Sequence, residues 1–124
     1  MNKGQSNDKV LREQARQILK DGILDMSVSR IIQMSQLRLK GNIVLSNEIA
    51  CVKNAFNCIS YDEESNVITF SVKESHSNSY GAISFSVSAI TEISGCEDRE
   101  YPEEYLNVNI KLKDGITVGI RILY

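Results

Sequence analysis

Hydrophobic and polar residues alternate most regularly at the C-terminal end of the chain, across residues 106–123. Leu106, Val108, Ile110 and Leu112, then Ile116, Val118, Ile120 and Ile122, form one dry face, with Asn107, Asn109, Lys111, Thr117 and Arg121 between them. Two antiparallel strands follow from that period. A two-residue Asp114-Gly115 turn would set polar-face Lys113 opposite apolar-face Ile116, so the loop must be Lys113-Asp114-Gly115, with Leu112 facing Ile116. A type I turn closed by a left-handed Gly115 in a G1 bulge is the predicted geometry. Eight apolar side chains here each contribute roughly 1.5–3 kcal/mol if fully buried, and something must cover them.

Upstream of the hairpin the pattern changes twice. Residues 7–21 carry a helical stripe, Leu11, Ala15, Ile18 and Leu19 with Val10 at its edge. Ser6, Asn7 or Asp8 suits the N-cap, Gly22 the left-handed position after the helix, and Lys20 the negative end of its dipole. Such a helix is too short to stand alone in water, so its stripe must dock on the sheet or on another subunit. Ser27 caps a second helix over residues 29–37, and residues 43–45 make a short strand after Gly41-Asn42. From Ser46 a helical period returns, Ile49, Val52, Ala55 or Phe56, and Ile59, which assigns 46–57 to a third helix and Cys51 and Cys58 to its packed face.

Beyond Tyr61 the pattern is all strand. Residues 67–73 place Ile68, Phe70 and Val72 on one face; 74–81 form a polar loop; 82–90 alternate Ile83, Phe85, Val87 and Ala89 with Ser84, Ser86 and Ser88, and Ile93 continues toward Gly95. Residues 97–104 are an acidic connector, kept out of the ladder by Pro102. Strands that follow helices rather than alternating with them predict an α+β fold of two layers. Its antiparallel sheet has about four to five strands from the C-terminal half, covered by two or three helices from the N-terminal half. The whole of residues 1–124 reads as a single domain.

The final strand runs to the C-terminus with no blunting charge. It therefore either lies inside the sheet or pairs with a second copy, and a homodimer is the expectation. No apolar run approaches the roughly 20 residues needed to cross a bilayer, and the polar N-terminus lacks the order of a signal peptide, so a cytoplasmic location without membrane contact is expected. Three cysteines, Cys51, Cys58 and Cys96, without Cys-x-x-Cys spacing fit reduced thiols, with Cys96 placed in a loop.

Charge sharpens the reading little. The net value of −2 disfavours nucleic acid, although residues 1–60 carry +4 and residues 61–124 carry −6. Residues 26–35 have the amphipathic spacing of the first helix of a helix-turn-helix, but Gly41 stands where a recognition helix would run. His76, the single histidine, sits in a polar loop where nothing would aim it at a nucleophile, and it shares no ligand spacing with Cys51 and Cys58. Glycine-rich phosphate loops are absent. No catalytic residue, metal ligand or cofactor is assigned.

Two surfaces remain. The connector offers Glu97, Asp98, Glu100, Tyr101, Glu103 and Glu104, acids around a tyrosine, as a contact for a basic protein partner, in the manner of a small inhibitor or immunity protein that acts by occlusion. Its acids are read as exposed and as keeping near-normal solvation. The polar face of the sheet, Asn107, Asn109, Lys111, Thr117 and Arg121 around Gly119, with Thr69, Ser84, Ser86 and Ser88, offers a second reading. There a small anionic molecule or nucleotide is bound or sequestered, at the sheet or at a homo-oligomer interface. An enzyme that assembles its site from scattered Asp, Glu and Tyr stays open as a third.

Overall fold

A computed structural model describes the backbone of residues 2–73 and 81–123, with side chains from Lys9 onward. Two helices open the chain, α1 (Asn2–Leu24) and α2 (Val28–Gln33), the second running into a 3₁₀ turn at Met34–Gln36. Eight strands follow: β1 (Lys40–Ser46), β2 (Cys51–Phe56), β3 (Cys58–Asp62), β4 (Val67–Ser71), β5 (Ala82–Ser86), β6 (Ile90–Glu97), β7 (Tyr105–Leu112) and β8 (Thr117–Leu123). The protein is α+β and every strand pairing is antiparallel.

The strands make two sheets, not one. Five are ordered β2-β1-β8-β7-β6 and three β3-β4-β5. The chain passes from one sheet to the other at two corners, through Asn57 between β2 and β3 and through the 3₁₀ turn Val87–Ala89 between β5 and β6. The two sheets are joined at these corners, and their inner faces share one core. Asn57 fixes its corner. Its amide receives the Lys73 N–H at 2.9 Å and donates to the Lys73 carbonyl at 3.2 Å, standing in for a ladder partner where the strand bends. Phe70 on β4 links the sheets, edge-on to Phe56 of β2 at 5.1 Å and stacked on Phe85 of β5 at 6.1 Å.

The final hairpin has the register that the alternation requires, Leu106, Val108, Ile110, Val118, Ile120 and Ile122 all being buried. Lys113-Asp114-Gly115 is the loop, and the Leu112 N–H reaches the Ile116 carbonyl at 2.8 Å. Its turn differs from the expected type, because Asp114 (φ 68°) as well as Gly115 (φ 77°) is left-handed. Asp tolerates that region better than most residues. β8 lies between β1 and β7 and is not an edge, which removes the bare-edge argument for a homodimer.

The third helix is the main correction. Residues 46–57 form a turn and strand β2. Asn47 Oδ1 accepts the N–H groups of Ile49 and Ala50, each at 2.8 Å, and makes the β1–β2 turn in place of a helix cap. Only Phe56 of the supposed apolar stripe within 46–57 is buried; Ile49, Val52 and Ala55 are exposed. Cys51 is exposed, Cys58 half-buried, and Cys96 lies on β6 and not in a loop. The run 82–93 is broken by its 3₁₀ turn, which carries Val87 into the core. The expected loop over 74–81, with His76, falls at residues 74–80 outside the described residues.

Helix α1 runs through Gly22, which is inside the helix and does not end it. Its C-terminal end is docked: Ile23 is buried, and a Cβ on Gly95 of β6 would lie 1.6 Å from the Ile23 carbonyl oxygen. Ile31, Met34 and Leu39 complete the core from the α2 side, with Ser27 receiving the Arg30 N–H as the predicted cap. Leu11, Ala15 and Ile18 are exposed. Among the described residues no helix is long and apolar enough to cross a membrane.

Candidate functional site

Strand register sets the outer face of the five-stranded sheet in rows. Lys53, Val44, Gly119, Asn109 and Ser94 make one row; Ala55, Asn42, Arg121, Asn107 and Cys96 make the next. Gly119, at the centre, leaves open space, with nothing within 4 Å of a Cβ built there. The result is an open trough of about 1050 Å³, and the connector, residues 97–100, forms one of its banks.

Asp98 joins connector and trough. Its Oδ2 receives the backbone N–H groups of Tyr101 (3.0 Å) and Glu100 (3.2 Å) and the Arg121 guanidinium (3.0 Å), while Oδ1 receives the Asn107 amide (3.1 Å). It is only 8% exposed. The Tyr101 N–H in the first place, with Asn107 and Arg121, holds its carboxyl below the ordinary value of 3.8, against an opposing push from burial. This corrects the reading of the connector as uniformly solvated acids. Arg121 is held from the other side by aromatic rings, its guanidinium carbon 4.0 Å from the Tyr105 centroid and 5.8 Å from that of Tyr101. Its Nε is buried without a hydrogen-bond partner among the described residues.

The residues singled out by sequence separate into groups. Glu97 bonds to Lys20 of α1 at 2.9 Å and stands at the bank of the trough with Glu100. Tyr101 is half exposed and meets Tyr105 edge-on at 6.1 Å. Glu103 borders a separate hollow of about 350 Å³ with Glu13 and Arg16 of α1, and Glu104 is exposed in the connector turn. Asn107, Asn109 and Arg121 line the trough. Lys111 does not: it pairs with Glu92 at 3.2 Å in the next row, beside Thr117. Thr69 and Ser84 bond to each other at 2.7 Å on the three-stranded sheet, as Ser86 and Ser88 do at 2.8 Å at its end, so the expected wet face is split between two sheets.

Sequence reasoning missed Asn42, Lys53 and Asn54, which also line the trough. The sequence reading starts the strand only at residue 43 and makes residues 46–57 a helix; polar Asn42 beside apolar Ile43 is the alternation that carries the signal. Asp98 was signalled more faintly, by a short acid placed to bond N–H groups two and three residues on, ahead of a proline.

The lining charges cancel, Lys53, Arg99 and Arg121 against Glu97, Asp98 and Glu100. Free donors and acceptors remain. Asn107 and Asn109 each direct an amide N–H to a neighbour, to Asp98 and to the Cys96 sulfur (3.7 Å), which turns their carbonyl oxygens away as oriented acceptors. Among the described residues no group of three or more His, Cys, Asp or Glu could hold a metal ion. No known protein family, curated protein or solved structure matches this chain.

Proposed function

We propose that this chain is a non-enzymatic interaction protein that binds and occludes a protein partner, with the connector and the trough acting as one surface. The observation that carries the reading is the four-fold use of Asp98, which ties the acidic loop to Asn107 and Arg121 of the sheet. A loop held in this way loses little freedom on binding, which removes one of the main costs of association. Half-exposed Tyr101 beside Arg121 supplies the residue types that anchor interfaces, and Glu100, Glu103 and Glu104 around them favour a basic partner.

A second reading, a small anionic molecule or nucleotide held in the trough, draws support from its volume, from Lys53 in its lining and from the buried Arg121 Nε–H. It is weakened by Asp98, which already neutralises Arg121.

The two readings separate by substitution. The Glu100→Lys, Glu103→Lys, Glu104→Lys triple variant should slow capture of the partner from host extract and flatten its salt dependence. Gly119→Val, which fills the trough, should weaken capture at least about tenfold. Thr69→Val, on the other sheet, serves as control. Normal capture by both variants would overturn the protein-partner reading, and a small molecule retained in native mass spectrometry and lost in Gly119→Val would favour the second.

A further inference from the structure

The connector is a ridge with two flanks. The trough lies along one of them, where Glu97 and Glu100 stand. Along the other lies the smaller hollow of about 350 Å³, which Glu97 and Glu103 share with Glu13, Arg16, Gln17 and Lys20 of α1. These four helix residues fall at i, i+3, i+4 and i+7, so they form one face of α1, and that face is turned to the connector.

The helix carries the charge that the ridge would attract. Lys9, Arg12, Arg16 and Lys20 follow one another turn by turn, and Glu13 is the only acid among residues 9–20. The last of these cations already engages the ridge: Lys20 Nζ meets Glu97 Oε1 at 2.9 Å. One turn before it, Arg16 stands at the hollow with Glu103. The end of α1 is docked, with Ile23 buried against Gly95 of β6. A helix anchored there keeps Arg16 and Lys20 beside the connector acids at an effective concentration that a dilute partner does not match.

We propose that the basic face of α1 is an internal competitor for the connector: Lys20 engages and Arg16 screens the acids that a basic partner must reach, so α1 restrains binding and gives up these contacts when the partner arrives. The inference rests on the reading of the connector as the contact for a basic protein. Exposed ion pairs each shift an equilibrium by about fivefold at most, so the two cations tune the affinity and do not close the surface. They also select. A partner with several closely spaced cations replaces both contacts at once, whereas an isolated lysine replaces one and is outcompeted.

The test is the binding of a fluorescein-labelled decalysine peptide to the full chain, followed by fluorescence anisotropy at about 100 mM salt, where charges more than about 10 Å apart are screened from one another. Arg16→Gln with Lys20→Gln should bind the peptide about three- to tenfold more tightly than the native chain, with unchanged circular dichroism. Lys73→Gln with Lys113→Gln removes the same charge from exposed sites away from the connector and should change binding less than about twofold. In a Glu97→Gln background, Lys20→Gln should gain no more than that control, because the contact it releases is already gone.

An Arg16, Lys20 double variant that binds no more tightly than the control overturns the proposal. So does one that binds less tightly than the native chain, a result that would make α1 part of the contact surface and not its competitor. Failure of the native chain to bind the peptide, or binding indifferent to Glu100→Gln, Glu103→Gln and Glu104→Gln together, overturns the reading of the connector itself and the competition with it.

Discussion

Asp98 Oδ2 and the Arg121 guanidinium meet at 3.0 Å across 23 residues of sequence, joining the connector loop to the last strand. The pair is stabilised from both sides, by the Tyr101 N–H on the carboxylate and by the Tyr105 ring on the guanidinium. Arg121 thereby serves the connector more than it serves a free anion. The charge that sequence placed on the sheet face is spent inside the protein.

This arrangement has a definite pH signature. The folded carboxyl of Asp98 titrates below 3.8, so its contribution to stability is complete above that ordinary value and is lost as pH falls through the lower folded value. Asp98→Asn should be less stable than the native chain at pH 7. The gap should narrow only in acid solution below 3.8, as the folded carboxyl takes up its proton and both proteins come to lack the charge. Denaturant midpoints of the two proteins across that range measure it, and a gap independent of pH would show that the charge of Asp98 adds nothing.

Two glycines on strands that flank β7, Gly95 and Gly119, should behave oppositely. At Gly95 a methyl group would lie 1.6 Å from the Ile23 carbonyl oxygen, and backbone cannot yield as a side chain does. Gly95→Ala should therefore cost about 3 kcal/mol, at the top of the range for overpacking, or release the end of α1. Gly119→Ala meets nothing within 4 Å and should change stability by no more than about 0.5 kcal/mol. Thermal midpoints, with amide exchange along α1, distinguish the two outcomes.

Legibility in the sequence followed the strength of local pattern. The hairpin over β7 and β8 was readable because eight alternating apolar residues leave a single register. α1 was readable as a helix but not as a bare one, since periodicity reports a face and not what covers it. β2 was misread because Val52, Phe56 and Ile59 fit a helical spacing, while its own strand buries only Phe56 and so shows no period-two apolar face; what decides it is the hairpin pairing with β1 across the Asn47 turn. The corners at Asn57 and at Val87–Ala89, which divide one sheet into two, carry no break in the local apolar pattern to mark them. Connector and sheet were each picked out as surfaces. Their union was hidden, because it rests on one aspartate in a run of five acids and on an arginine far downstream.

The thiols offer a direct check on the corrected middle of the chain. Cys51 and Cys96 are exposed and Cys58 is half-buried. Under native conditions Cys51 and Cys96 should both react with a maleimide well before Cys58, as followed by peptide mass spectrometry. A helix over 46–57 packed on the sheet would instead protect Cys51 along with Cys58. Rapid labelling of Cys96 alone would therefore argue for the helix and against β2.

Phe70 tests whether the two sheets unfold as one body. Its side chain is fully buried, edge-on to Phe56 in the five-stranded sheet and stacked on Phe85 in its own. Phe70→Ala removes a ring from the place where the sheets meet and should cost about 3–5 kcal/mol, a large part of the stability of a chain this size. Phe70→Leu should cost less, as it keeps most of the volume. With Asn57 and the 3₁₀ turn holding both corners, the loss should lower one shared transition. Circular dichroism and the fluorescence of a probe on Cys51, at the far edge of the larger sheet, should give the same midpoint for the variant. Two separate midpoints would mean that the sheets fold independently and that their shared core carries no cooperative strength.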